Sequence, residues 1–308
     1  MNSPKLKRFH SVLKPELYFL LGLALCFRLP GFDAVLASDE LAMVSLWGQM
    51  PYEKIFQNYQ YPNNHIFLTL ILSFLLKSFG LYEWLLRLPI LICGILSIYL
   101  GYRAGKVIGN DALVGWMTAF FLALSERHIF FSTNARGYLL VMLLGQLCFV
   151  KLLSRLKEDP KTTQYDGGSV NIIVNSLGWL LIWAVGSWTV PTFIVFELSL
   201  ALFFLGIIIS RRVVTKESAN IFFVPLITLL AGLVVFYLQY YVWISPEMLA
   251  SAKSNAAQSS LSSLFSEVMD QWLAPFEKLK IIFLILAMIG GWGLWKQKPA
   301  KFFLIASI

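Results

Sequence analysis

The stretch LPILICGILSIYLGY, residues 88–102, decides the fold: it is an unbroken apolar run followed by the basic residues Arg103 and Lys106. Similar runs recur along the chain. They are continuous and rich in Leu, Ile and Phe, unlike the short alternating strands of a membrane barrel. Because 58% of the residues are hydrophobic and only 14% are charged, the apolar surface indicates lipid as the surrounding medium. The sequence therefore predicts an all-α polytopic membrane protein.

The predicted transmembrane helices lie near residues 17–30, 88–104, 112–131, 138–156, 171–190, 192–209, 221–243 and 279–295. A further apolar run, 65–79, is shorter than the roughly 20 residues that a crossing helix needs. If this run does not cross, the positive-inside rule places all the basic clusters on the cytoplasmic side. These clusters are Lys5/Lys7/Arg8/Lys14, Arg103/Lys106, Lys151/Arg155/Lys157, Arg211/Arg212/Lys216 and Lys296/Lys298/Lys301.

This topology gives one transmembrane domain over 1–308. Residues 31–86 form a first outer loop with juxtamembrane helices at 39–50 and 65–79, and residues 244–277 form a later outer loop. A last apolar run begins near 301, and the sequence stops inside it, so we expect a C-terminally truncated chain. The net charge of +8 is accounted for by the clusters beside the helices. We therefore expect membrane lipids and no nucleic acid as partners.

An acidic pair, Asp39 and Glu40, follows the first apolar segment and is preceded by Ser38, a good helix cap. Two interpretations stay open. First-turn carboxylates stabilise a helix through its dipole, whereas carboxylates beside a membrane span are also typical of functional sites. Neighbouring helical residues point about 100° apart, so at most one of the two faces a cleft squarely. We expect that residue to be Asp39.

Two more polar groups are predicted on the outer side. Tyr61, Asn64 and His65 open the 65–79 helix, either as a turn with a helix cap or as a surface that binds sugar hydroxyls and ring faces. Arg136 lies in a short outer turn, and a guanidinium is a natural bidentate partner for a phosphate. The sequence has no metal-ligand spacing such as HExxH or CxxC and no Gly-rich phosphate loop.

Several motifs in order resemble the GT-C superfamily of membrane glycosyltransferases, and most closely the protein O-mannosyltransferase and aminoarabinose-transferase-like enzymes. The resemblance covers about residues 15–150 and depends on the order and spacing of the motifs. They are FRLPGF and ASDELAM, then YPNNHIFLTLILSFLLKSFG, LRLPILICGILSIYLGYRAGKVIG and FFSTNARGYLL. The implied fold is a GT-C-type transmembrane helix bundle with juxtamembrane helices in the first outer loop.

The resemblance implies a transferase that uses a polyprenyl-phosphate-linked sugar on the non-cytoplasmic face, in the plasma (inner) membrane of a bacterium. The family's catalytic base maps to Asp39, with Glu40 beside it. Its donor-phosphate segment maps to the turn that holds Asn134, Arg136 and Tyr138.

This chain departs from the family pattern at two places. Many relatives carry an acidic residue before the Ala-Arg pair, where this chain has Asn134, so the sequence does not support the divalent cation that some relatives use. Relatives also often have His-Pro-Pro where this chain has Asn63, Asn64 and His65. The resemblance therefore indicates the position of this segment in the fold but implies no role for its residues. No cofactor is otherwise expected.

The predicted reaction is a single displacement with inversion. Asp39 removes the proton from an acceptor on a lipid, glycan or protein, and Arg136, helped by His65 or Lys253, stabilises the departing phosphate. The main alternative is a membrane transporter or flippase of lipid-linked or small polar substrates, which would carry charges and broken helices at mid-membrane. A third is a structural subunit of a cell-envelope complex. The acids cluster in outer loops, which favours the enzyme.

Overall fold

The structure is a computed structural model. It describes residues 15–57, 64–157, 169–210 and 226–234, and the single positions 288, 292 and 296. The chain divides into two compact units: the first contains Met1–Leu41 and Phe74–Ser154, and the second contains Ala42–Ser73 and Arg155–Ile308. Each unit is described by itself below.

The ordered elements are helices, with no strand in the four described ranges. In chain order they are α1 (Pro15–Cys26), α2 (Ser38–Met43), α3 (Tyr52–Gln57), α4 (Ile66–Phe79), α5 (Glu83–Gly109), α6 (Ala112–Leu124), α7 (Glu126–Ser132), α8 (Tyr138–Lys157), α9 (Ser169–Thr189) and α10 (Phe193–Ser210). Helix α2 continues into a wider π-helical turn at Val44–Gly48. The all-α prediction is confirmed for this part of the chain.

The core of the first unit is formed where α1, α5 and α6 meet. Its buried side chains are Leu17, Leu20 and Ala24 of α1, Ile98 and Tyr102 of α5, and Ala119 and Ala123 of α6. Small residues allow the α5 and α6 backbones to approach closely. A Cβ atom on Gly115 would lie 2.6 Å from the Tyr102 carbonyl oxygen, so only glycine fits there.

A two-residue turn joins α5 to α6 and explains why these helices form a hairpin. Asn110 ends α5 in the left-handed region, at φ 56°. Asp111 then begins α6, and its carboxylate accepts a hydrogen bond of 2.9 Å from the Leu113 backbone N–H. Asn tolerates the left-handed conformation, and Asp is among the best N-caps. The sequence therefore ends one helix and begins the next within two positions.

The predicted span at 112–131 differs from the structure, which divides it into α6 and α7. Ser125 leaves the helical region at φ −63° and ψ 118°. Its hydroxyl then accepts a hydrogen bond of 3.3 Å from the His128 backbone N–H, so that it caps α7. The apolar run hides this break because Phe130 and Phe131 continue it past the cap.

The described part of the second unit contains an aromatic contact between α9 and α10. Trp179 and Trp183 stack at 5.3 Å between ring centroids, and Phe193 packs 6.4 Å from Trp183. Pro191 separates the two helices, as the sequence predicts. Within this contact, Glu197 of α10 is buried and accepts a hydrogen bond of 3.0 Å from the Ser187 hydroxyl.

Helix α5 is, among the described residues, the one helix long and apolar enough to cross a membrane by length and composition. Ile66–Phe79, Ala112–Leu124, Tyr138–Ser154 and Phe193–Phe203 are apolar but shorter. These features suggest membrane association, and crossing by the other helices stays a prediction. The predicted spans 221–243 and 279–295 lie largely outside the described residues.

Candidate functional site

The two neighbouring acids on α2 have different surroundings in the first unit. The Asp39 side chain is 45% exposed, whereas the Glu40 side chain is 1% exposed. Their divergence follows from helix geometry, because consecutive side chains leave the axis about 100° apart. Asp39 therefore faces outward from the unit and Glu40 faces inward.

Glu40 accepts hydrogen bonds on both of its carboxylate oxygens. Oε1 accepts from Arg87 Nε at 3.0 Å and from the Ala135 backbone N–H at 2.6 Å. Oε2 accepts from Arg87 Nη2 at 2.7 Å and from the Ala37 backbone N–H at 2.9 Å. Burial alone would raise the pKa of Glu40, but these donors and the Arg87 charge outweigh it and hold the pKa below its ordinary value.

Arg87 also organises the segment that precedes α2, which the sequence predicts to be part of an outer loop. Besides the Glu40 carboxylate, its guanidinium donates to carbonyl oxygens of the loop that precedes α2, at distances between 2.5 and 3.2 Å. These acceptors are Gly31, Phe32, Ala34 and Val35. A buried charge is stable only when its donors are paired, and here the loop backbone supplies the acceptors. Arg87 and Glu40 thus fix the conformation of the segment that carries Asp39.

Asp39 pairs with Arg136 from the turn after α7. Arg136 Nη1 donates to Asp39 Oδ2 at 2.5 Å, and the ion pair is partly exposed. The guanidinium also lies 5.0 Å from the centre of the Tyr138 ring and donates to the Tyr138 hydroxyl at 3.3 Å. A carboxylate and a cation in contact at a partly exposed position can receive a proton and bind an anion, respectively.

A buried polar cluster lies behind this turn. Arg28 Nη2 donates to His128 Nδ1 at 2.7 Å. Because a guanidinium can only donate, Nδ1 is the unprotonated nitrogen, and Nε2 carries the proton that it donates to Ser97 Oγ at 2.9 Å. The Ser132 hydroxyl donates to the His128 carbonyl oxygen. The cluster therefore fixes the end of α7, from which the turn that bears Arg136 continues.

The other predicted site residues are distributed as follows. Asn134 is buried in the same turn, and its backbone carbonyl oxygen accepts from the Arg136 backbone N–H at 2.7 Å.

Asn64 and His65 belong to the second unit. The Asn64 side chain donates to the Ile55 carbonyl oxygen at 3.2 Å, and His65 Nδ1 donates to the Thr189 carbonyl oxygen at 3.0 Å. Tyr61 and Lys253 lie outside the described residues.

Sequence reasoning missed three residues of this arrangement. Arg87 and Arg28 lie within the apolar motifs LRLPILIC and FRLPGF, and the sequence alone predicts no role for either. His128 is buried, whereas its neighbours Glu126 and Arg127 are exposed, and the apolar residues that follow hide it in the sequence. The available signal was the same in each case: a charged or polar side chain inside an apolar run must find a partner.

The described residues contain no group of three or more His, Cys, Asp or Glu side chains placed to hold a metal ion. Comparison with protein-family models, curated proteins and solved structures finds no match to this chain. The resemblance noted from the motifs therefore stays a prediction. Asp39, Glu40 and Arg136 form the polar arrangement of the first unit on which the function proposed below depends.

Proposed function

We propose that this protein is a membrane glycosyltransferase that moves a sugar from a polyprenyl-phosphate donor to an acceptor on the non-cytoplasmic face. The observation that carries the proposal is the Asp39–Arg136 ion pair, which joins two residues 97 positions apart at a partly exposed position. One member is a candidate base and the other a candidate phosphate ligand. The acceptor is a lipid, a glycan or a protein.

The apolar exterior supports a multi-pass location in a bilayer. Large hydrophobic side chains are exposed along several helices, as is expected of a surface that faces lipid and costly for one that faces water. Examples are Phe19 on α1, Leu113 and Phe121 on α6, Leu181 on α9 and Leu202 on α10. With the basic clusters on the cytoplasmic side, Asp39 and Arg136 fall on the outer side of the plasma (inner) membrane of a bacterium.

The proposed reaction is a single displacement at the anomeric carbon. Asp39 accepts the proton of the acceptor hydroxyl or amine as that atom forms its bond to the anomeric carbon. The bond between the anomeric carbon and the phosphate oxygen breaks, and the oxygen leaves with the electron pair on the polyprenyl phosphate. Arg136 binds the phosphate as its negative charge increases.

The ion pair gives this reaction an order of events. Without donor, Arg136 neutralises Asp39. A donor phosphate would compete for the guanidinium, because a phosphate offers more negative charge and more acceptor oxygens than one carboxylate. The Asp39 carboxylate would then accept a hydrogen bond from the hydroxyl or amine of the molecule that receives the sugar. The base thus becomes available when the donor is bound.

The test is transfer by the full-length protein with a small panel of polyprenyl-phosphate sugars, with and without a chelator. Asp39→Asn should lower the rate by about 10²–10⁴-fold, the usual contribution of a general base. The matched control is Asp33→Asn, which removes an exposed acid from the same loop and should leave the rate unchanged. Near-normal transfer by an inserted, folded Asp39→Asn protein would exclude Asp39 as the base.

A further inference from the structure

We propose that residues 79–84 form an interfacial anchor that seats the candidate site at the headgroup layer of a bilayer. The observation is a cluster of exposed large side chains between α4 and α5. Phe79 is 60% exposed, Leu81 54%, Tyr82 52% and Trp84 43%. The inference rests on the membrane location in the proposed function and adds the depth of the site and the surface that determines it.

The exposure of these side chains is built into a defined turn. Gly80 ends α4 at φ 90°, a conformation that favours glycine, and its N–H donates to the Leu76 carbonyl at 2.9 Å. Tyr82 then caps α5, and its carbonyl accepts from the backbone N–H groups of Leu85 and Leu86, each at 3.1 Å. The backbone on both sides is therefore hydrogen-bonded while the aromatic rings point away from the unit.

The chemistry of the cluster fits a lipid headgroup layer. Tyr and Trp combine an apolar ring with a hydroxyl or N–H group, and both are enriched where hydrocarbon meets water. The apolar surface also continues along one side of α5, where Ile92 and Leu96 follow Trp84 at intervals of eight and twelve residues and are exposed. Headgroups beside the anchor and acyl chains beside Ile92 and Leu96 would cover this surface without a gap.

The anchor determines the depth of the site because the anchor and the site are both attached to the N-terminal end of α5. Arg87 lies three residues after Trp84, about 4.5 Å along the helix axis. Its Nη2 lies 2.7 Å from Glu40 Oε2, and Asp39 directly precedes Glu40 in the chain. Asp39 and Arg136 would therefore lie at the level of the headgroups, where a lipid-linked phosphate is presented. A soluble phosphate-linked sugar would have no need of this placement.

The test measures depth and needs no activity. Nitroxide labels are placed by Leu81→Cys, Leu96→Cys and Val35→Cys in a protein whose Cys26, Cys93 and Cys148 are replaced by Ala. The protein is reconstituted in nanodiscs of phosphatidylethanolamine and phosphatidylglycerol, and the accessibility of each label to oxygen and to a water-soluble nickel chelate is compared. Val35 reports on the segment that carries Asp39. Its side chain is exposed and its contact with Arg87 is made by the backbone carbonyl, so a label on the side chain should preserve that contact.

We expect the label at residue 81 at headgroup depth and the label at residue 96 in hydrocarbon, since Trp84 and Leu96 are about 18 Å apart along α5. Replacing the anchor by Tyr82→Ser with Trp84→Ser should raise the nickel accessibility of the Val35 label several-fold. The matched control, Tyr18→Ser with Phe19→Ser, removes two exposed aromatic rings from α1 and should leave that label unchanged.

Three results would overturn the anchor. A water-exposed label at residue 81 with residue 96 in hydrocarbon would exclude the anchor and leave the membrane location intact. Labels at both positions shielded from both reagents would show that a protein surface, such as a second copy of the chain, covers the cluster. A water-exposed label at residue 96 would also contradict the membrane location on which the proposed function depends.

Discussion

Asp39 and Glu40 are adjacent carboxylates whose partners assign them different tasks. Glu40 is buried, with Arg87 and two backbone N–H groups on its oxygens, so it cannot receive a proton from a substrate without losing a donor. Asp39 has one side open to solvent and pairs with Arg136. At the residue scale, the acid that holds the loop and the acid proposed to act in it are separate groups.

Replacement of Glu40 should destabilise the protein. Glu40→Gln leaves Arg87 buried without its counter-charge, and removing one partner of a buried pair costs about 3–5 kcal/mol. We expect a lower midpoint of thermal unfolding in detergent. Glu53→Gln, which changes an exposed acid on α3, is the control and should unfold like the unaltered protein. Equal midpoints for all three proteins would contradict the structural role of Glu40.

The same pair predicts a pH dependence of stability. Because the pKa of Glu40 is lowered in the folded protein, its contribution is fully present above the ordinary carboxyl pKa of about 4.3 and is lost as the pH falls through the lower folded pKa. The difference in unfolding midpoint between the unaltered protein and Glu40→Gln should therefore shrink on acidification. A difference that stays constant into strong acid would contradict this.

Arg136 should matter for the donor more than for the acceptor. Arg136→Ala removes charge-assisted hydrogen bonds worth about 1.5–3 kcal/mol, which corresponds to a rise of roughly 10–100-fold in the KM for the polyprenyl-phosphate sugar. Arg103→Ala is a close control, because Arg103 also contacts a tyrosine, with its Cζ 5.9 Å from the Tyr99 ring centre. A rise in the acceptor KM alone would argue against phosphate binding by Arg136.

At the scale of elements, the apolar runs predict where most helices lie, and α4, α8, α9 and α10 begin and end within a few residues of the predicted limits. The break at Ser125 is not predictable from hydrophobicity, because it depends on one cap inside an apolar run.

The Glu40–Arg87 ion pair is not predictable from the sequence for another reason. Residues 47 positions apart meet only because α5 packs beside the loop, and a single sequence does not encode that proximity in a readable pattern.

Packing between α5 and the end of α7 should be sensitive to one methyl group. A Cβ atom on Gly94 would lie 2.6 Å from Ser132 Oγ, so Gly94→Ala must displace the residue from which the Arg136 turn starts. Overpacking of this kind costs about 1–3 kcal/mol, and we expect both the unfolding midpoint and transfer to fall. Gly22→Ala on α1 has no atom within 4 Å of the new methyl group, and Ala favours a helix more than Gly does, so neither the unfolding midpoint nor transfer should fall. A Gly94→Ala protein as stable and active as the Gly22→Ala protein would contradict this packing.

At the scale of the whole molecule, composition and the basic clusters predict a membrane protein with its acids outside the cytosol. The described residues form helices and no strand, and many apolar side chains on these helices are exposed, which is compatible with that prediction. The first unit brings together Asp39, Glu40, Arg136 and Tyr138, all named from the sequence. The sequence favours Asp39 over Glu40 as the acid that faces a cleft, but it does not predict that Glu40 is buried against Arg87.

A single displacement with Asp39 as base is tested most sharply by the anomeric configuration of the product, determined by NMR, when the polyprenyl-phosphate sugar has a known configuration. A single displacement with Asp39 as base predicts a product of the opposite configuration and no measurable accumulation of it with Asp39→Asn over the same time. A product of retained configuration, or an inverted product formed equally fast by Asp39→Asn, would contradict the account.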